Sequence, residues 1–552
     1  MPAMHFALLV GAAAASPPNV LMIAMDDLRP AGAAFGVPEV LMPNLDALAA
    51  RSTIFTNAYV QAATCGVSRS SLLTSRRPDT TQVVYNNGVC PFTTRPEHAS
   101  WVSLPEYFRR SGYSTHGLGK IFHPNVCDGA AVGEQAAAWS EPYYHAPCIS
   151  LGSIYNHTCY EDYPGPLPEG PGGKVTSIYE NTTANSAEDM PDGMIAAHAV
   201  RQLRALGARP ARGAVEGESS PSPPPFFMAV GFHKPHLPHI APAEFFELYP
   251  EEQVSLPSEA SRSAPRAAPV GAWNECGEFL SYKNNKATAE ARGFGHDVHL
   301  NDTETRLRRR AYYAAASFAD AQLGKVLDEL RNSGLESSTV VALYGDHGWH
   351  IGENNEWGKH TAMTWANHAP LLFAEPGGTG GVVSEGFAEF VDIYPTLAEL
   401  AGLPTPPRCA TEGMSLSHPN CTEGASLAAA VRAAAAPAGA ARAGGKAVAF
   451  GQWPRPHILG KKKMGYLLHT RLDAGLDPSR PQVRYTEWVQ YNNSGSVHGP
   501  IWSAHPPTEL YNLSSDPDEN VNLAGQPGME AVVAALSALL HAGWRSQPAR
   551  AA

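Results

Sequence analysis

Several short clusters in this chain combine residue types that can hold a cation, grip an anion or arm a nucleophile. Asp26-Asp27 follows one apolar run and Asp346-His347-Gly348 follows another. Adjacent carboxylates repel, so a buried pair needs a cation, and an oxygen-ligated ion such as calcium fits best. In a solvated strand-end turn the same acids need none. His347 can complete such a site or serve as a hydrogen-bonded turn residue. Cys65-Gly-Val-Ser-Arg69 opens a short helical run, Ser70-Ser-Leu-Leu-Thr74. A thiol at a helix N-terminus beside an arginine is expected to have a lowered pKa, and the free N–H groups there suit an anion. A buried or disulfide-bonded cysteine is the plainer alternative. His233, Lys234, His236 and His239 crowd one loop, and Lys359-His360 follows the Asp346 segment. Beside a metal and a nucleophile these are the donors that a sulfate or phosphate group requires. Elsewhere they are loop decoration, as the Lys461–Lys463 run is read.

The segments that must position these groups alternate between strand and helix. Asn19–Ala24, Thr115–Gly119, Phe226–Gly231 and Thr339–Tyr344 read as buried strands; Leu45–Arg51, Leu104–Ser111, Met194–Leu206 and Arg309–Ser333 read as helices. That alternation predicts an α/β fold with a large, mainly parallel sheet flanked by helices. The strands run in turn into Asp26-Asp27, into Lys120 and His123, into His233–His236, and into Asp346-His347. Ligands of open α/β sheets bind beyond the carboxyl ends of the strands, so these four ends are expected to meet on one rim. Arg209–Pro225, rich in Pro and Ser, reads as a surface loop. The Ala/Gly-rich stretch Ala425–Lys446 begins as a helix, Ser426–Ala436, broken by Pro437 and Gly439. It divides a large domain of residues 17–445 from a smaller C-terminal α+β subdomain, 446–552. That subdomain alternates like a strand at Val483–Val489 and ends in a helical pattern from Met529 to Leu540.

With 43% hydrophobic and 17% charged residues, the 552-residue chain can bury a large core. Its 52 acidic against 40 basic residues, a net charge of -12, argue against a nucleic-acid binder. A cleft with local cations can still take an anion. The apolar start closing in Ala12–Ala15 reads as a secretory signal over residues 1–15, and no other stretch is apolar enough to span a bilayer. Six N-x-S/T sequons, at Asn156, Asn181, Asn301, Asn420, Asn492 and Asn512, agree with a secretory, secreted or lysosome-like destination. So do the close pairs Cys148/Cys159 and Cys409/Cys421, read as two small disulfide loops; Cys90, Cys127 and Cys276 stay unassigned.

Taken in order, Asp26-Asp27, Cys65-x-x-Ser68-Arg69, Gly119-Lys120-x-x-His123 and Asp346-His347-Gly348 resemble the sulfatases of the alkaline-phosphatase superfamily. Within them the chain looks most like the branch that acts on 2-O-sulfated uronates. The likeness runs through Arg76-Arg77-Pro78-Asp79-Thr80, Gly231–His236, Trp349, Gln452–Pro456 and Glu509–Leu513, nearly the whole mature chain. It implies an alkaline-phosphatase-like fold. It also implies one calcium ion held by Asp26, Asp27, Asp346, His347 and residue 65, the last converted from cysteine to formylglycine by the formylglycine-generating enzyme. Arg69, Lys120, His233 and Lys359 would neutralise the sulfate, with Lys359 or His233 protonating the departing sugar oxygen and His123 acting as the base that restores the aldehyde. Lys120, His233, Trp349 and Lys359 would contact a sulfated saccharide, Lys359 pairing with its uronate carboxylate. Two positions depart from the family pattern: Val67 stands where the modification signature has Pro, and Ser75 where Gly is usual. Two other readings stay open. With Cys65 unmodified the protein would bind sulfated glycan without turning it over. A phosphoester hydrolase of the same superfamily would be expected to carry a Ser or Thr nucleophile and further His and Asp metal ligands.

Overall fold

The computed structural model describes residues 16–86, 100–123, 137–146, 178–181, 187–209, 223–269, 271–274, 276–376, 378, 380–433, 445–455, 463–472, 479–494 and 498–547. The large domain runs β1 (Asn19–Met25), α1 (Pro43–Ala49), β2 (Thr53–Tyr59), α2 (Cys65–Thr74), α3 (Leu104–Arg110), β3 (Ser114–Gly119), α4 (Pro191–Gly207), β4 (Phe226–Phe232), α5 (Asp302–Asn332), β5 (Thr339–Gly345), β6 (Leu371–Ala374) and β7 (Val382–Glu389), with shorter pieces between. One seven-stranded sheet has the order β7-β2-β6-β5-β1-β4-β3. The four strands expected from the sequence are the neighbours β5, β1, β4 and β3. They are mutually parallel, with Ile23 opposite both Val230 and Leu343. Their carboxyl ends therefore lie side by side, which is what the polar residues after each strand require. Only β6 runs antiparallel, between β5 and β2.

Both faces of this sheet are covered, which is why its central strands read as unbroken apolar runs. From β1, Leu21, Ile23 and Met25 enter a core shared with α1, α4 and α5, while Val20, Met22 and Ala24 enter a second one with α2 and α3. Each such large side chain contributes about 1.5–3 kcal/mol on burial, enough in sum to hold charged groups rigidly at the strand ends. Helix α5 starts at Asp302, earlier than the apolar periodicity from Arg309 suggests. Asn301 caps it by accepting the Glu304 N–H at 2.8 Å, and Asp302 and Glu304 favour its positive end.

The C-terminal part forms an antiparallel sheet of β8 (Val448–Arg455), β9 (Lys463–Arg471), β10 (Gln482–Asn492), β11 (Gly499–Ile501) and β12 (Thr508–Asn512), covered by α6 (Glu530–Ala542). Its seam with the large sheet combines apolar contacts, such as Tyr59 and Phe387 with Ala449, and ion pairs. Arg77 binds Glu389 through two nitrogens at 2.7 and 2.9 Å, and Lys446 joins the same carboxylate. The helix expected over Ser426–Ala436 is seen as Ala428–Ala433, residues 434–444 lying outside the described ones. Cys409 and Cys421 form the expected disulfide and Cys276 is a buried thiol; Cys90, Cys127, Cys148, Cys159 and the 1–15 segment lie outside the described residues. Asn492 is exposed, Asn301 serves as the α5 cap, Asn420 and Asn512 are half-buried, and the Asn156 sequon falls outside. No helix among the described residues is long and apolar enough to cross a membrane.

Candidate active site

The rim of the sheet gathers a dense set of ionisable groups. β1 delivers Asp26 and Asp27, both fully buried. Asp27 adopts a left-handed backbone, φ 62°, unusual for a residue with a side chain. Two hydrogen bonds hold it there: its N–H donates to Asp346 Oδ1 at 2.9 Å, and the Tyr312 hydroxyl donates to its carbonyl at 2.8 Å. β3 ends at Gly119, whose positive φ of 69° and missing side chain let Lys120 fold over β4; a Cβ there would lie 2.0 Å from the Gly231 carbonyl. The Lys120 ammonium then ion-pairs with Asp26. β5 supplies Asp346 and His347, and the short strand Trp357–Gly358, antiparallel to His350–Ile351, brings back Lys359.

Cys65 begins α2 and lies at the centre of this set, 1% exposed. Its Sγ is 3.3 Å from His347 Nε2, 3.2 Å from Lys359 Nζ and 3.6 Å from Asp27 Oδ1. Lys359 Nζ also reaches Asp27 at 2.9 and 3.1 Å, and lies 5.3 Å from the centre of the Trp349 ring, a buried shelf beneath it. The sequence reading of an activated, low-pKa thiol is reversed here. Burial, then the charge of Asp26, pushes the thiol well above its usual value. The arginine expected to lower it is turned elsewhere: the Arg69 guanidinium binds Asp26 at 3.0 Å, Asp346 at 2.9 Å, and the carbonyls of Lys120 and Ile121. Arg69 thus braces the carboxylates from behind. Burial opposes its charge, and Asp346 and Asp26 more than offset that, holding it above its ordinary pKa.

His347 stands within the same set. Its Nδ1 lies 2.9 Å from the Gly348 carbonyl, which can only accept, so Nδ1 carries the proton. Nε2 lies 3.2 Å from Asp27 Oδ1 and 3.3 Å from Cys65 Sγ. The groups Asp27/Cys65/Asp346/His347 and Asp26/Asp27/Cys65/His236 each have ligand atoms within 4.8 Å of one another. Two of the four members of each are carboxylates, the oxygen donors that a hard divalent cation takes, beside one thiol and one imidazole.

The remaining expected residues fall around this centre. His123 feels the charges of Lys120, Asp26, Arg69 and Lys359; burial, then Lys120, pulls its pKa well down, so it is a neutral imidazole at neutral pH. His233 is likewise neutral through burial and Lys120, and its main-chain N–H is pinned to Asp192 at 2.8 Å. Lys234 is not at the centre: its ammonium braces the loop through the His236 and Pro238 carbonyls at 2.8 and 2.5 Å. His239 is buried against Tyr312 and Trp349. Two more residues join, His236 from the crowded loop and Glu278, which no motif singled out. His236 Nε2 lies 3.8 Å from Asp27 and 3.4 Å from Glu278, and Glu278 lies 3.2 Å from Lys359. The crowding of His233-Lys-Pro-His236 hinted at the histidine. Nothing local marks Glu278, which reaches the rim from the short helix Gly277–Ser281 before α5.

The sheet order and the carboxylate–histidine rim define a hydrolase of the alkaline-phosphatase-like superfamily. The sequence model of the family described as Sulfatase matches residues 18–403. Human iduronate 2-sulfatase is 30% identical over 559 residues, covering 92% of this chain and 90% of that one. Among solved structures, a 2-O GAG sulfatase superposes with a TM-score of 0.60 at 19% identity over 96% of this chain and 92% of that one. A phosphonate monoester hydrolase of Agrobacterium radiobacter superposes with a TM-score of 0.63 at 19% identity over 96% of each chain. At that identity the last two speak for the fold alone. The chain belongs to the sulfatase family, and its chemistry is the hydrolysis of sulfate esters.

Proposed function

We propose that this protein removes sulfate from a sulfated saccharide of the 2-O-sulfated uronate type, using residue 65, oxidised to formylglycine, as nucleophile. The observation that carries this reading is the position of Cys65, which with Asp27 is common to both groups that could hold a cation and lies 3.2 Å from the Lys359 ammonium. Asp26, Asp27, Asp346, His347 and residue 65 would hold one calcium ion, which when bound supplies positive charge to the sulfate oxygens. As a formylglycine hydrate, residue 65 would supply one hydroxyl for attack on sulfur with displacement of the sugar oxygen; loss of the second hydroxyl's proton would then re-form the aldehyde and expel sulfate together with the first oxygen. A thiol held protonated by burial is a poor nucleophile as it stands, so the oxidation gives this position its use.

The other side chains divide the work by charge. Lys120 and Lys359 neutralise the sulfate from two sides. Arg69 acts behind them by fixing Asp26 and Asp346. Lys359, with His233 as the alternative, protonates the departing sugar oxygen. Neutral His123 takes the proton of the second hydroxyl. Lys359, on its Trp349 shelf, is also placed to meet a uronate carboxylate. Support for the saccharide class comes from the likeness to iduronate 2-sulfatase over nearly the full length. A signal segment, a secretory route and sugar attachment belong to the same reading.

The test is the mass of the tryptic peptide Ser52–Arg69 from protein made in a secretory host, joined to sulfate release from 2-O-sulfated iduronate and 6-O-sulfated glucosamine. An aldehyde at residue 65 with preference for the first substrate upholds the proposal. An alkylatable thiol and no sulfate release would replace it with a sulfated-glycan binder, the outcome to which Val67 in place of Pro points.

A further inference from the structure

Away from the rim, a cavity of about 340 Å³ lies between the large domain and the C-terminal sheet. Its walls mix flat apolar rings with directed polar groups. Phe450, Tyr466, Trp502 and Trp544 supply the rings, and Asp79, Gln452 and His541 the polar edges. None of these polar groups is loosely held. Asp79 accepts from Gln452 Nε2 at 2.8 Å and from the Tyr466 hydroxyl at 2.9 Å. His541 is fixed by Glu487 at 2.8 Å and stacks on Trp502 with ring centres 3.9 Å apart.

This composition selects a class of ligand. An apolar molecule would leave Asp79 and Gln452 facing hydrocarbon, a costly arrangement. Arg77 and Arg545 also line the space but are already paired with Glu389 and Glu423, and a simple inorganic anion would meet the Asp79 and Glu412 carboxylates as well. A pyranose ring satisfies both kinds of wall, since its C–H face packs on aromatic rings while its hydroxyls donate to carboxylates and accept from amides and imidazoles. The volume is at the small end for a ligand site, suited to one or two rings.

The cavity and the rim flank the same strand. Gln452 lines the cavity, while the next residue on β8, Trp453, points to the opposite face and stacks on His360 with ring centres 5.4 Å apart, and His360 adjoins Lys359. Thr80 lines it too, and Tyr85, in the same segment, lies 5.9 Å from His360. Five residues of chain reach at most about 18 Å.

We infer that this cavity is a second saccharide subsite, holding a ring of the glycan distant from the sulfated residue. The inference rests on the saccharide reading above, and a ligand that cannot be hydrolysed tests it separately. The full-length protein is titrated with a fully desulfated uronate–hexosamine octasaccharide, followed by tryptophan fluorescence and calorimetry. Saturable binding is expected, weakened about tenfold in Trp502→Ala and less in Trp502→Tyr, the loss of one aromatic stacking contact. With the sulfated octasaccharide, KM rises by a similar factor at unchanged kcat, while hydrolysis of a small aryl sulfate is unaffected. No binding by the wild type, or equal binding by a Trp502→Ala protein of unchanged Tm, overturns the subsite. Equal losses on the octasaccharide and the aryl sulfate also overturn it. Binding of the desulfated chain without any sulfate release upholds the subsite and removes only the catalytic reading.

Discussion

Lys359 joins three jobs that pull on one ammonium: it offsets Asp27, stands 3.2 Å from the Cys65 sulfur, and rests over Trp349. Burial alone would lower its pKa, but Asp27, Cys65 and Glu278 raise it well above the usual lysine value. It is therefore a fixed charge, able to act as an acid only when a stronger base, such as a departing alkoxide, is presented. Lys359→Ala is expected to lower kcat about 10²–10³-fold, the size of losing one preorganised transition-state donor. It should also destabilise the metal-free protein by about 3–5 kcal/mol, because Asp27 is left buried without its partner. Calcium should restore much of that Tm loss and none of the rate, so paired melts and sulfate-release assays separate the two roles. Cys65→Ala removes the proposed nucleophile. Its expected outcome is a loss of sulfate release of about 10⁴-fold or more with Tm little changed, since a small buried side chain is exchanged for a smaller one.

At the scale of elements, α2 ends on a conformation its sequence does not favour. Ser75 has φ 51°, the left-handed region in which the family's usual Gly is free and an L-residue is strained by about 1–2 kcal/mol. The hydroxyl compensates by donating to the Val391 carbonyl at 2.5 Å and accepting the Gly424 N–H at 3.4 Å. Ser75→Ala keeps the strain and loses the bonds, so a cost of about 1–2 kcal/mol in urea melts is expected, whereas Ser75→Gly should be near neutral. The short helix Pro78–Thr81 gives a prediction in pH. Burial raises the Asp79 carboxyl to about 6 from its usual 3.8. The folded state thus prefers it protonated, and that stability is complete below about pH 4 and lost as pH rises through about 6. Asp79→Asn should flatten the fall of Tm across this interval. Much of the sheet was readable beforehand because β1, β3, β4 and β5 are apolar on both faces and end in charge. β6 was not, being four residues without a polar terminus, nor β7, whose pairing with β2 shifts between Ser384 and Phe387. β2 alternates only weakly. The rim residues were legible for the same reason as the strands they follow. The direction in which Arg69 points and the arrival of Glu278 were not, since both are fixed by partners distant in sequence.

The whole molecule carries its own charge balance at the rim. Asp26, Asp27 and Asp346 are matched by Lys120, Lys359 and Arg69 in direct ion pairs. Chelation is therefore expected to abolish sulfate release while leaving the far-UV spectrum intact and lowering Tm by only a few degrees; wholesale unfolding on adding chelator would contradict this balance. One last consequence concerns time rather than energy. Every residue of α2 is buried, Cys65 and Val67 included, beneath a sheet whose strands come from residues 19 to 389. No second enzyme can grasp that segment once those strands have closed over it. Any alteration of residue 65 must happen while the chain is still emerging, in competition with its own collapse, and each molecule that closes first keeps its thiol for life. The specific activity of a preparation would then record how its chains were made, and no later treatment of the folded protein would raise it.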